Sequence, residues 1–158
     1  MRSVSILIIF IFSCSQINEK EVKSKVNIPS SINSFFIDVP EINRLNVNDN
    51  SKIETWSNMI SFTEKFNDLF EKEINHKSKI KLLSTDLDKI KKETIPGKYK
   101  TSPIIGRIRV VNTYLQKIDS YLLSQENLDE YKNDLKNLVE SYNGLIFQIN
   151  LISKELDD

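Results

Sequence analysis

One cysteine and one histidine stand out in this 158-residue chain, because a thiol and an imidazole carry most protein nucleophilic and metal chemistry. With a single copy of each, an intrachain disulfide, a Cys/His zinc finger and any two-histidine site within one molecule are excluded. Glu73 and His76, spaced i and i+3, would share one helix face, which is half of the pattern that di-iron bundles use. The other half is missing, since no second histidine exists and the seams of the later helices carry no carboxylate. The expectation is that Glu73 and His76 mark an exposed turn between helices. Serines are many, yet none sits in a Gly-x-Ser-x-Gly elbow, and nothing singles out a carboxylate pair. Three scattered glycines, Gly97, Gly106 and Gly144, exclude the glycine-rich phosphate loops. No catalytic role, no metal and no cofactor is expected.

That leaves the thiol of Cys14, whose chemistry depends on what precedes it. Arg2 is a short positive region, and in the nine residues from Val4 to Phe12 only Ser5 is polar. As a helix this run reaches roughly 14 Å, well short of the ~30 Å hydrocarbon core of a bilayer, so it reads as a secretory signal rather than a span. Ile11-Phe12-Ser13-Cys14 resembles the lipobox of bacterial lipoproteins: an aliphatic residue at minus three, a small one at minus one, then cysteine. Phe12 at minus two is bulkier than that pattern usually has. The resemblance implies cleavage before Cys14, a diacylglycerol thioether on its sulfur and, usually, an acyl group on the new amine. Each buried methylene adds ~0.8 kcal/mol to membrane affinity, so two or three chains anchor a protein durably. It also implies a cell-envelope location, and Ser15 after the cysteine favours the outer membrane in the sorting pattern of enteric bacteria.

The anchor needs something to carry. Residues 1–13 are the expected signal and 14–27 a polar, aperiodic, flexible tether. In residues 28–48, Ile28, Ile32, Phe35, Phe36, Ile37, Val39, Ile42, Leu45 and Val47 are too apolar for a spacer. Pro29 and Pro40 forbid a long helix there. This reads as an irregular strap over the folded domain, with Phe35 and Phe36 as the rival, a partner-binding anchor.

Residues 49–158 carry helical periodicity. Ser51 and Glu54 form a capping-box pattern, followed by Trp56, Met59, Phe62, Phe66, Leu69 and Phe70 at three-four spacing. The register runs on through Glu73 and His76 to Ile80, Leu83, Leu87 and Ile90, until Pro96-Gly97 stops it. Ser102-Pro103 opens a third stretch with Ile108, Val111, Leu115, Ile118 and Leu122. Asn127 and Glu130 open a fourth, with Leu128, Tyr131, Leu135, Leu138, Tyr142, Leu145, Ile149, Ile152 and Leu156 in an unbroken a/d seam. Were Ser51 to Glu93 one helix it would be roughly 64 Å long, against about 31 Å and 45 Å for the later two. Its apolar start would stand in water. The expected fold is therefore all-α: an antiparallel four-helix bundle with a turn near Asn75-His76-Lys77-Ser78, preceded by a flexible tether. The alternative is a long helical hairpin that dimerises.

Charges sum to zero, 22 basic against 22 acidic, so no global field draws the chain to nucleic acid. Locally, Lys89, Lys91, Lys92, Lys98, Lys100, Arg107 and Arg109 face one acid, Glu93, while eight acids oppose three bases from Glu126 to Asp158. Internal complementarity with the acidic end Glu155, Asp157 and Asp158 is the first expectation. The second is a surface of Lys98, Lys100, Arg107 and Arg109 touching anionic headgroups or wall polymers. Gly144, inside a helix, implies a close approach or a slight bend. The leading functional expectation is a lipid-anchored protein-interaction or assembly module that engages an envelope protein. A small-ligand or metal-binding bundle and an inhibitor or immunity-type lipoprotein are the alternatives.

Overall fold

The computed structural model describes residues 40–47, 53–70, 76–122, 124 and 126–154, so Cys14, Phe35, Phe36 and Glu73 lie outside the described residues. The fold is all-α. Helix α1 spans Ser57–Asn67, α2 His76–Lys92, α3 Ser102–Ser120 and α4 Leu128–Lys154. Single 3-10 turns occupy Ile53–Thr55, Asp68–Phe70 and Gly97–Tyr99.

Contacts between neighbouring helices run in opposite chain order. From α1 to α2, Asn58 meets Glu93, Lys65 meets Asp86, and Asp68 pairs with Lys79 at 3.5 Å. At one end of α2, Lys77 Nζ donates to the Tyr121 carbonyl just past α3 (3.4 Å), and at the other Lys91 shares a groove with Arg109. Between α3 and α4, Lys117 pairs with Asp134 at 2.9 Å while Arg107 reaches Gly144. The bundle closes through aromatic rings: Phe66 of α1 stacks on Tyr142 of α4 with centroids 3.7 Å apart. Trp56 stacks on Tyr99, whose hydroxyl shares a 2.9 Å hydrogen bond with Ser153 near the end of α4. Helices α1 and α2 are therefore two helices folded on each other, in place of one long rod.

The apolar stripes read from the sequence form this core. Met59, Phe62, Phe66, Ile80, Leu83, Leu87, Ile90, Val111, Leu115, Leu138, Tyr142, Leu145 and Ile149 are fully buried. The face of α4 is wider than an a/d seam, since Val139 and Ile146 are buried as well. Leu122, expected to extend the stripe of α3, is 84% exposed because the helix has ended at Ser120.

Helix ends differ from expectation in instructive ways. The first helix starts at Ser57 behind a Trp56 N-cap that makes no side-chain cap bond, and Glu54 lies in the preceding 3-10 turn. Ile53 and Trp56 are buried at that start, and Ser51 of the expected capping box lies outside the described residues. The break between α1 and α2 begins at Asp68, earlier than the expected Asn75–Ser78 turn. A 3-10 turn there swings Leu69 into the core, and Ser78 lies within α2 rather than ahead of it. His76 is the first residue of α2. The cap of α3 is Thr101, whose hydroxyl accepts from the Ile104 amide, one residue before the expected Ser102. Asn127 does precede α4, but its side chain turns back, accepting from the Ser124 amide (2.9 Å) and donating to the Leu122 carbonyl (3.0 Å). Glu130, freed from the capping box, pairs with Lys117 at 3.1 Å.

Candidate interaction surface

Residues 40–47 have no regular secondary structure and lie along α4, held by two asparagines. Asn143 and Asn150 are seven residues apart, two helical turns, so their side chains leave one flank of α4 about 10.5 Å apart. An extended chain with the ~3.1 Å rise per residue of polyproline II covers nearly the same distance in three residues. The match produces two equivalent clamps. Asn143 Oδ1 accepts from the Asn43 amide (2.8 Å) and its Nδ2 donates to the Glu41 carbonyl (2.7 Å). Three residues on, Asn150 Oδ1 accepts from the Asn46 amide (2.9 Å) and its Nδ2 donates to the Arg44 carbonyl (2.9 Å). Asn43 adds a 3.3 Å bond from its own amide group to the Asn143 carbonyl. Ile42 and Leu45, also three apart, pack half-buried against the core. Chain direction is parallel to α4.

Beside the strap lies a cleft of about 220 Å³ between Asn43, Arg44 and Asn46 on one side and Phe147, Asn150, Leu151 and Lys154 on the other. Phe147 is 61% exposed and Leu151 40%, four residues apart on α4. Among the described residues no acidic side chain lines this cleft. A second groove, about 490 Å³, separates α2 from α3, with Ile95, Ile105 and Ile108 against Lys91, Arg109, Asn112 and Thr113.

The basic segment is not one continuous surface. Lys98 Nζ is buried and lies 4.8 Å from the centre of the Tyr99 ring, a cation–π contact within the fold. The guanidinium of Arg107 occupies the space where a Gly144 side chain would begin, 2.9 Å from an ideal Cβ. What meets the glycine is the tip of a side chain rather than the backbone of a closely approaching helix. Lys100 is exposed, and Arg109 borders the α2–α3 groove. Lys89 is bound to Asp86 and Lys91 to Asp88, at 2.7 and 2.6 Å. The acidic end, Glu155 to Asp158, lies outside the described residues.

Sequence reasoning missed Asn143 and Asn150. Their signal is faint: two amides at heptad spacing, each directly after a buried seam residue, Tyr142 and Ile149. It also missed two buried carboxylates, Asp86 and Asp134. Asp134 accepts from Lys117 and from the Tyr121 hydroxyl (2.6 Å). Burial first, and then the bond to Asp134, push the Tyr121 hydroxyl above its ordinary value. The hydrogen bonds to Asp134 and Glu130 likewise raise Lys117. These groups tie α3 to α4 and do not converge on an open site. Among the described residues no group of three or more His, Cys, Asp or Glu could hold a metal ion, and no helix is long and apolar enough to cross a membrane. In comparisons with known proteins, the chain matches no family model, no curated protein and no solved structure.

The arrangement can do one thing well. It grips an extended backbone by its amides and carbonyls while taking two aliphatic side chains spaced three apart.

Proposed function

We propose that this is a lipid-anchored protein of a bacterial cell envelope, outer-membrane sorted, whose helical bundle serves as a protein-interaction module. The observation that carries the anchor is Ile11-Phe12-Ser13-Cys14 placed directly after a nine-residue apolar run. The sole thiol in the chain stands where a thioether-linked lipid would be installed. The interaction role is supported by the flank of α4, where exposed Phe147 and Leu151 adjoin a strap already bound through its backbone. Monomeric domains expose single apolar residues freely, but an aromatic and an aliphatic side chain bordering a cleft suit a contact site.

The test uses a photo-crosslinking residue at Phe147 in the full chain, expressed in its own host, with Lys81 as an exposed control position on α2. A discrete adduct with an envelope protein is expected from position 147 and not from 81, and only when Cys14 is intact. Identical patterns from both positions, or adducts that persist unchanged in a soluble Cys14→Ser protein, would contradict the reading.

A further inference from the structure

We propose that the flank of α4 is a receiving site for an extended polypeptide segment of a partner protein, and that the strap Glu41–Asn46 is its resident occupant, displaced when the partner binds. This rests on the protein-interaction reading above and assigns it a recognition mode. The two asparagine clamps contact only main-chain amides and carbonyls of residues 41, 43, 44 and 46, groups that every polypeptide presents. The side-chain requirement is slight, an aliphatic residue at i and another at i+3, as Ile42 and Leu45 supply. An extended segment with that spacing therefore reproduces the strap's contacts apart from the Asn43 side-chain bond to the Asn143 carbonyl.

Exchange is also energetically accessible. All five strap bonds to α4 lie at exposed positions, and Ile42 and Leu45 are half-buried, unlike the fully buried residues beneath them. A segment with solvent-exposed hydrogen bonds and little apolar burial opens at a small fraction of the global unfolding free energy. A competitor must still overcome the strap's effective concentration, which is in the millimolar range for a short connection. The neighbouring surface supplies the difference. Phe147 and Leu151 stay uncovered beside the bound strap, so a longer segment gains apolar contact there that residues 40–47 do not make.

The experiment weakens the strap and offers its own sequence in trans. In the full chain, Ile42→Asn with Leu45→Asn removes the apolar anchors and leaves Asn143 and Asn150 in place. A fluorescein-labelled peptide of residues 40–47 is expected to bind this chain saturably, read by anisotropy, while a scrambled peptide that breaks the i, i+3 spacing does not. Adding Asn143→Ala and Asn150→Ala is expected to weaken binding about tenfold or more, as loss of four hydrogen bonds implies. A folded strap-weakened chain that takes up no peptide overturns the proposal. So does uptake unchanged by the asparagine substitutions. Should the double variant lose its helical circular dichroism, the wild-type chain with a protease site inserted within residues 48–52 replaces it. After cleavage the labelled peptide is expected to exchange with the severed strap, and no exchange overturns the proposal. Failure of either titration leaves the crosslinking result from position 147 intact, so the two readings fall separately.

Discussion

Asp86 is a buried carboxylate that ties α1 to α2. Its side chain is 5% exposed and accepts from Lys65 across the hairpin and from Lys89 one turn away. Burial alone would push its carboxyl upward, but the bonds from Lys65 and Lys89, with their charges, outweigh it and hold Asp86 below its ordinary 3.8. A carboxyl depressed in the folded state contributes stability that is full above the unfolded value and lost as pH falls through the folded one. Wild-type stability in urea should therefore fall below pH ~4. Asp86→Asn should cost about 1–3 kcal/mol at pH 7 and leave a shallower decline in acid, since both lysines lose a charged partner. A variant as stable as wild type at pH 7 would show the pairs to be idle. Gly144 gives a prediction of opposite sign. An added methyl meets only the tip of the Arg107 side chain, which can swing outward, while the helix gains propensity. Gly144→Ala should be neutral or stabilising by up to about 1 kcal/mol in thermal or urea unfolding. A loss of stability would mean that Arg107 is fixed by contacts beyond its approach to the glycine.

At the scale of elements, the stripe of α3 separates what is packed from what is merely periodic. Leu115 is fully buried and Leu122 is 84% exposed, although both obey the same spacing. Leu115→Ala should cost about 2–5 kcal/mol, and Leu122→Ser should stay within about 0.5 kcal/mol of wild type, measured side by side in denaturant. Periodicity revealed the helices because burial of one face leaves a 3.6-residue record in the chain, and Met59 through Ile149 carry it plainly. It could not place their ends. Asn127–Glu130 is a sound local capping pattern, yet the Asn127 side chain turns back onto Ser124 and Leu122, and Glu130 pairs with Lys117 of α3 instead. The α1–α2 break was anticipated from length and solvent exposure. Its position was not, because the 3-10 turn at Asp68–Phe70 answers to the burial of Leu69. The strap's apolar content was legible, but its partner was not. Asn143 and Asn150 are informative only beside a segment about 100 residues away in sequence. The strap contributes its own small share of stability. Ile42→Asn with Leu45→Asn should cost about 1–3 kcal/mol while leaving helical content unchanged.

For the whole molecule, the described residues form a bundle packed on all four helices with a strap running along the longest of them, and in the proposed reading this is the domain that a lipidated Cys14 would hold at the membrane. The net charge of zero supplies no global pull toward nucleic acid, and in the proposed reading it is covalent lipid on Cys14 that would attach the protein to its membrane. The most direct test is intact and peptide mass spectrometry of the protein taken from its host's membranes. The account predicts a mature chain whose first residue is Cys14, its sulfur carrying diacylglycerol, with the preceding thirteen residues gone. A chain that retains residues 1–13, or one whose Cys14 is a free, unmodified thiol, would contradict it.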